Sequence, residues 1–342
     1  TVGSRGSGSG KSYDYDYMNI TSASLTLTYT YKKSTGSIGA ASTGSAATLR
    51  ITAYNSGYSH RVTWKLGDNT QIQTIAAGTA SASYTIPHSW LPNATSGSAT
   101  VTLETLNGST SLGSNTYRFM VSVPPDVVPG IGGLTTTPVN SGASATAFGW
   151  GLYIQNRTKC TAAMTNVSAG TGATIKSYSI TTSPNFGSGT SSSLTTNLLT
   201  ASGTVTITAK VTDSRGRTAT RTASITVRAY AAPQLTATPT VYRCLSNGDR
   251  DDIGGRYAML AASFSYSSVN GNNSLTVRRV ELNGVNTNLT SGTAVIIGAG
   301  ALAVDSSYTA VIRLTDVVGS TTVFILTIPS ARYVIHIAKY GQ

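Results

Sequence analysis

The sequence predicts an all-β chain of three tandem immunoglobulin-like β-sandwich domains in an elongated arrangement. Three observations carry that prediction. Apolar and polar side chains alternate with a period of two in segment after segment, and Gly, Asn and Asp cluster between those segments as turn signals. A closing signature also recurs, with Asp213 and Asp316 standing 103 residues apart. One immunoglobulin-like sandwich takes about 100 residues, so the interval matches one domain.

Residues 1–15 read as a flexible glycine-rich segment. The run Gly3 to Ser12 contains the Gly-Lys-Ser of a phosphate loop. Arg5, however, stands where that motif needs its first Gly, and a strand pattern follows instead of a helix. A linker composition accounts for it better. The first sandwich is placed at 16–123. Ala23, Leu25, Leu27, Tyr29 and Tyr31 interleave with Ser24, Thr26, Thr28, Thr30 and Lys32, which puts one face on a core and hydroxyls in water. The pattern returns at Ala47-Leu49-Ile51-Ala53, Val62-Trp64-Leu66, Ala99-Val101-Leu103 and Tyr117-Phe119-Val121-Val123. Gly67-Asp68-Asn69 and Asn107-Gly108 are turn signals between them. A single helical turn is expected near Pro87-His88-Ser89-Trp90.

Pro124, Pro125 and Pro129 fix φ and remove ladder donors, so residues 124–132 read as a short semi-rigid linker. The second sandwich follows at 133–230. After a break at Ala231-Ala232-Pro233 the third occupies 231–330, with a C-terminal strand at 331–342. The last two sandwiches share a strand running into Asp-x-x-Gly, at Asp213 to Gly216 and Asp316 to Gly319, then a Thr-rich strand. In the strand after Gly216, Arg217 and Arg221 share the face of Ala219, Ala223 and Ile225. A buried unpaired Arg costs several kcal/mol, so a bulge or an exposed strand beginning near Arg221 is expected.

Charge composition narrows the function. Only 11% of residues are charged, and Asp and Glu together number 12. Acid–base hydrolysis needs two carboxylates, or a His with partners, in one cleft. Most of these carboxylates stand singly in turn-like contexts, and His60, His88 and His336 lie far apart, so no catalytic residue is nominated and a non-enzymatic role is expected. Asn247-Gly248-Asp249-Arg250-Asp251-Asp252 spaces oxygen ligands like a calcium loop. It lacks Gly at its sixth place and has Ala258 at its twelfth, so it reads as a surface turn. No cofactor and no metal are called. Cys160 and Cys244, 84 residues apart, read as reduced thiols of a cytoplasmic product rather than a disulfide framework. Asn-x-Ser/Thr triplets such as Asn19-Ile20-Thr21 are what a chain this rich in Ser and Thr contains by chance. No apolar stretch approaches the roughly 20 residues of a spanning helix, and no charged-then-apolar leader opens the chain, so membrane insertion is not expected. A start at Thr1 points to processing, trimming or a fragment.

The net charge of +12 is uneven: residues 131–230 hold eight Lys and Arg against one Asp. Arg157, Lys159, Lys176, Arg215, Arg217 and Arg221 are therefore the candidate contacts for an anionic partner, such as teichoic acid, an acidic glycan or an acidic neighbouring subunit. With no recognition helix and no aromatic–basic strand motif, specific nucleic-acid binding is not expected. A solvated basic face is the plain alternative. Tyr supplies 18 side chains; most fall on core parity, which leaves a modest share for stacking on sugars.

Several linked motifs carry a family likeness. They include Val62-Thr63-Trp64-Lys65-Leu66-Gly67, Ile86 to Trp90 with Pro92 to Gly97, Val123 to Pro129, and Trp150 to Gln155. Val211 to Thr218 belongs with them, as does Tyr242-Arg243-Cys244 with Gly248, Asp252 and Gly255. Over roughly residues 45–340 the chain resembles the uncharacterised siphovirus minor structural proteins, tail or host-specificity components of phages of Gram-positive bacteria. The resemblance implies a virion component made in the host cytoplasm: a tail fibre, tail tip or other surface projection taking part in host attachment. It implies other virion proteins as partners, host cell-wall polysaccharide or teichoic acid as a ligand, and a homo-oligomer, a trimer being one option. It also implies that a more distal part follows Arg332 to Gly341. The alternatives are a bacterial surface adhesin or filament subunit, and a glycan-cleaving tail enzyme, which requires a carboxylate pair in a cleft.

Overall fold

A computed structural model describes residues 32–331. The glycine-rich segment, the strand expected at Ala23–Lys32 apart from Lys32, and the C-terminal strand expected at 331–342 apart from Ala331 fall outside them. The described chain is all-β, built from β-sandwiches. Its contacts group it into two compact units: residues up to 40 with 47–84 and 99–119, and residues 41–46, 85–98 and 120 onward.

Eight strands come first: β1 (Thr35–Ser37), β2 (Ala41–Ser42), β3 (Ala46–Thr52), β4 (Ser59–Leu66), β5 (Asn69–Ile75), β6 (Ser81–Thr85), β7 (Ser96–Asn107) and β8 (Thr110–Ser122). In the first unit β1-β3-β6 form one sheet and β5-β4-β7-β8 the other. Alternation delivers Leu49 and Ile51 from β3, and Val62, Trp64 and Leu66 from β4, to the buried side. Trp64 ties the sheets together. Its indole lies 6.2 Å from the Tyr84 ring of β6 and meets Phe119 of β8 edge-on at 6.3 Å. Its Nε1 donates to Gln73 Oε1 at 2.9 Å, so the one polar atom of the ring is satisfied.

In the second unit, β2 pairs in parallel with the end of β8, Ala41 against Val121. A 3₁₀ turn at His88–Trp90 confirms the expected helical turn. Next come β9 (Gly130–Asn140), helix α1 (Ala145–Phe148), β10 (Tyr153–Ile154), β11 (Thr158–Ser168), β12 (Ile175–Ser183), β13 (Ser188–Gly189), β14 (Ser193–Thr195), β15 (Gly203–Asp213) and β16 (Thr218–Arg228). Sheets β9-β11-β14 and β10-β16-β15-β12-β13 enclose Cys160, Met164, Ile180, Ile207 and Ile225. The last set is β17 (Gln234–Leu235), β18 (Thr240–Cys244), β19 (Tyr257–Ala261), β20 (Phe264–Ser265), β21 (Leu275–Leu282), β22 (Val285–Asn288), β23 (Ala294–Ile297), β24 (Tyr308–Asp316) and β25 (Thr321–Ile328). Sheets β18-β19-β23 and β22-β21-β24-β25 close on Leu260, Val280, Leu282, Ile312 and Leu314.

One wiring is used three times. The three-stranded sheets β1-β3-β6, β9-β11-β14 and β18-β19-β23 correspond, as do β8-β7-β4-β5, β16-β15-β12-β13 and β25-β24-β21-β22. β2 on β8 is matched by β10 on β16, both parallel. Even irregularities repeat: the register shifts between Ile175 and Ser177 in β12 and between Leu275 and Val277 in β21.

Three expectations change. Strand β9 starts at Gly130, so residues 130–132 are ladder and not linker. Helix α1 was not foreseen. The bulge offered as one answer to the Arg221 parity is not in β16, whose register with β15 is unbroken from Gly203 to Thr212. The other answer holds: Arg221 is exposed, with Nη1 donating to the carbonyls of Ile131 and Gly132 at 3.1 and 2.7 Å. Cys160 and Cys244 are buried free thiols, and burial pushes both pKa values up.

His60 of β4 is buried, with Nε2 2.9 Å from Ser34 Oγ, and burial holds its pKa below the ordinary 6.5. The unfolded chain therefore binds a proton at a pH where the folded one does not, and stability falls as pH drops below that value. Thermal melts from neutral to mildly acidic pH are expected to show this loss. In His60→Gln the acid-side slope should flatten; an unchanged slope excludes His60 as its source.

Candidate functional site: two joints built on a buried aspartate

The recurring Asp-x-x-Gly folds as the turn between the last two strands of a sandwich, β15 to β16 and β24 to β25. In the first copy Asp213 Oδ1 accepts from the amides of Arg215 and Arg217 at 3.0 and 2.9 Å. In the second, Asp316 Oδ1 accepts from Gly319 and Ser320 at 3.0 and 2.9 Å. The main chain closes alike, Asp213 N to Arg217 O and Asp316 N to Ser320 O. The next amide also goes to corresponding carbonyls, Ser214 N to Thr174 O and Val317 N to Ser274 O. Gly216 and Gly319 take φ of 80° and 104°, which is why the signature ends in Gly. Both carboxylates are buried.

A turn fixed this firmly aims the residue two after the Asp outward from its own sandwich. In the first copy that residue is Arg215, 8% exposed. Its Nε donates to Leu91 O at 2.8 Å, Nη1 to Thr171 O at 2.9 Å and Nη2 to His88 O at 2.8 Å. The 3₁₀ turn leaves carbonyls at its end that need donors, and the guanidinium fork supplies them. Burial pulls the Arg215 pKa below its ordinary value, opposed by the Asp213 charge. Ser214 Oγ donates to Pro92 O. Gly172, at φ 77°, comes so close that a Cβ there would lie 2.5 Å from both His88 C and Ser89 N. Arg217 holds the Pro-rich segment, its Nη1 on Pro124 O and Val127 O and its Nη2 on Val123 O.

In the second copy the same position is Val318, fully buried with Ala143, Ala147, Ile154, Tyr230 and Val269. Here the donors come from the other side. Ser144 N donates to Val318 O at 2.8 Å and Ser144 Oγ to Val317 O at 2.6 Å, while the same oxygen caps α1 by accepting from Ala147 N. The Tyr230 hydroxyl donates to Asp316 Oδ2 at 3.0 Å and sits against Ser320 Oγ. Burial, then the Asp316 charge, raises its pKa. Arg157 stacks over the Tyr230 ring at 5.2 Å and donates to Ser320 Oγ. Asn273 Nδ2 completes Asp316 Oδ2 at 3.0 Å.

The six predicted contact residues are thus divided by the structure. Arg157, Arg215, Arg217 and Arg221 donate to main-chain carbonyls or a hydroxyl within the fold. Lys176 of β12 is exposed and Lys159 of β11 half-buried. Sequence reasoning found the Asp-x-x-Gly repeat but not its partners; it passed over Tyr230 and named Arg243 only within the motifs of the family likeness. Arg243, 2% exposed, donates to the carbonyls of Pro329, Gly255, Ala303 and Ser306. Among the described residues no group of three or more His, Cys, Asp or Glu is placed to hold a metal ion. The Asn247–Asp252 loop instead turns its oxygens on itself, as in Asp249 N to Asn247 Oδ1. The arrangement holds segments together; its chemistry is hydrogen bonding.

Removing the guanidinium should weaken the first joint sharply. Arg215→Ala is expected to cost about 2–4 kcal/mol, since charged hydrogen bonds to buried acceptors are lost together, read from urea transitions. Amide exchange at Leu91 should accelerate in the same variant. Arg215→Lys should recover little, because a point charge cannot reproduce the fork; full recovery would show that charge alone matters. Tyr230→Phe is expected to cost about 1–2 kcal/mol at the second joint.

Among curated protein sequences none matches this chain significantly. Solved structures with similar folds include a Ca2+-stabilized adhesin of an Antarctic bacterium that binds ice, 16% identical, covering 87% of this chain and 73% of that one with a TM-score of 0.37. Three N-terminal domains of the Highly Immunogenic Outer Capsid protein of bacteriophage RB49 are 14% identical, covering 86% and 96% with a TM-score of 0.30. Identities and superpositions this low carry no functional inference. A family model, by contrast, matches residues 2–261, and the chain belongs to that family: Siphovirus protein of unknown function (DUF859).

Proposed function

We propose that the chain is a non-enzymatic structural component of the siphovirus particle, part of a tail fibre, tail tip or other surface projection, and takes part in host attachment. The observation that supports this reading is the pair of joints. Buried charge in the second unit is used to clamp a turn onto the segment before it, as at Arg215 on His88 and Leu91. That is how a chain of modules resists bending. Its partners on this reading are other virion proteins and host cell-wall polysaccharide or teichoic acid. Lys159 and Lys176, which no joint engages, join Lys210 and Arg228 as the cations of residues 131–230 left to draw a polyanion.

Immunogold labelling of purified particles with an antibody to residues 131–230 tests the location. Label on the tail or a surface projection is the expected result; particles without label remove the proposal. Purified protein should also adsorb to host cell walls at low salt and release as salt rises. Binding indifferent to salt would exclude an electrostatic contact.

A further inference from the structure

The last strand of each sandwich lies at or next to the edge of its sheet, and its outward side chains differ between the three copies. In β8 they are Ser114, Thr116, Arg118 and Met120; in β16 they are Thr218, Thr220, Thr222, Ser224 and Thr226. Hydroxyls and a charge are the usual protection of an edge, since they discourage another chain from pairing there. Arg221 adds a cation to the β16 edge. In β25 the outward residues are Thr321, Val323, Ile325 and Thr327, and the strand Thr321–Ile328 carries no charge and no proline. Val323 is 43% exposed and Ile325 71%, the latter the most exposed large apolar side chain among the described residues. The inward face is ordinary: Phe324, Leu326 and Ile328 pack on the core.

Cover differs as well. β8 and β16 each end under a short parallel strand, β2 and β10. β25 terminates its sheet, and among the described residues no strand pairs with its outer edge. Thr322 Oγ1 donates to Pro233 O at the start of the strand, leaving the stretch beyond it open. The chain after β25 turns the other way: Ala331 N donates to Val304 O and Arg243 Nε to Pro329 O. These contacts tie residues 329–331 to β18 and to the loop before β24.

We infer that β25 pairs edge to edge with β25 of a second copy of this chain, antiparallel and about a two-fold axis through Phe324. The strand is complementary to itself in that register. Val323 falls opposite Ile325 of the other copy and Thr321 opposite Thr327, so β-branched side chains meet β-branched and hydroxyls meet hydroxyls. A two-fold contact of this kind is isologous, the same patch serving both subunits. No charge on either strand opposes it, and the free N–H and C=O groups of both edges are satisfied together. An eight-residue strand pair is small beside a standard interface, so the dimer forms as concentration rises. The inference is independent of where the protein sits in the particle.

Sedimentation of the full chain over a range of concentrations tests it. A reversible doubling of mass is expected. Ile325→Lys, a change on a solvent-facing side chain, should abolish the doubling and leave the thermal transition of the monomer in place. Register is tested by oxidation of single cysteine variants; the native Cys160 and Cys244 are buried and do not compete. A mixture of Val323→Cys and Ile325→Cys chains should cross-link to one another more than either does to itself. A chain monomeric at every concentration overturns the inference. So does a dimer that survives Ile325→Lys, or one lost only when residues 332–342 are deleted, which would assign it to the C-terminal segment.

Discussion

The rest of the second unit depends on a carboxylate buried in a tight turn and held by main-chain amides. A buried charge without partners is costly, and Asp213 and Asp316 are tolerated because two amides converge on one oxygen in each. Those amides fix the turn, and the fixed turn presents a side chain in a set direction. What that side chain is then becomes a free choice. With Arg215 the joint is polar and the turn supplies the donors. With Val318 it is apolar, and donors arrive from Ser144, Arg157 and Tyr230. One backbone device thus supports two joints of opposite hydrogen-bond polarity. The remaining oxygens reflect this: Asp316 Oδ2 has Tyr230 and Asn273, whereas Asp213 Oδ2 has no partner.

This changes the meaning of the basic surplus in residues 131–230. Half of its eight cations, Arg157, Arg215, Arg217 and Arg221, are hydrogen-bond forks in a chain whose poles and linkers expose converging carbonyls. Arg suits that task because its planar donors reach several acceptors at once, and Lys does not. The exposed or half-buried residues left over are mostly Lys, the side chain of choice for a diffuse field.

Strands were legible because a period of two survives in the local sequence: Val62, Trp64 and Leu66 declare the buried face of β4 without reference to anything distant. The Asp-x-x-Gly repeat was legible for the same reason, being four residues long and present twice. The joints were not. Arg215 meets Leu91 across 124 residues, and its acceptors are main-chain carbonyls, which every residue has and no side-chain pattern reports. Helix α1 is four residues, too short to show a helical period. The parity of Arg217 and Arg221 was read correctly as a conflict, and the exposure of Arg221 resolves it, with β16 in unbroken register on β15.

Arg243 shows that the same carbonyl problem has an internal solution. At the base of the last sandwich the carbonyls of Gly255, Ala303, Ser306 and Pro329 converge, much as those of His88, Leu91 and Thr171 converge on Arg215. In one case the fork comes from a following turn and in the other from β18 of the same sandwich. Where the fork comes from a following turn, separating the turn strands the carbonyls of His88 and Leu91, while Thr171 stays with the sandwich that carries Arg215. A pole filled by its own Arg243 keeps those four bonds with nothing docked against it. The difference lies in which element supplies one guanidinium, a following turn or β18 of the same sandwich.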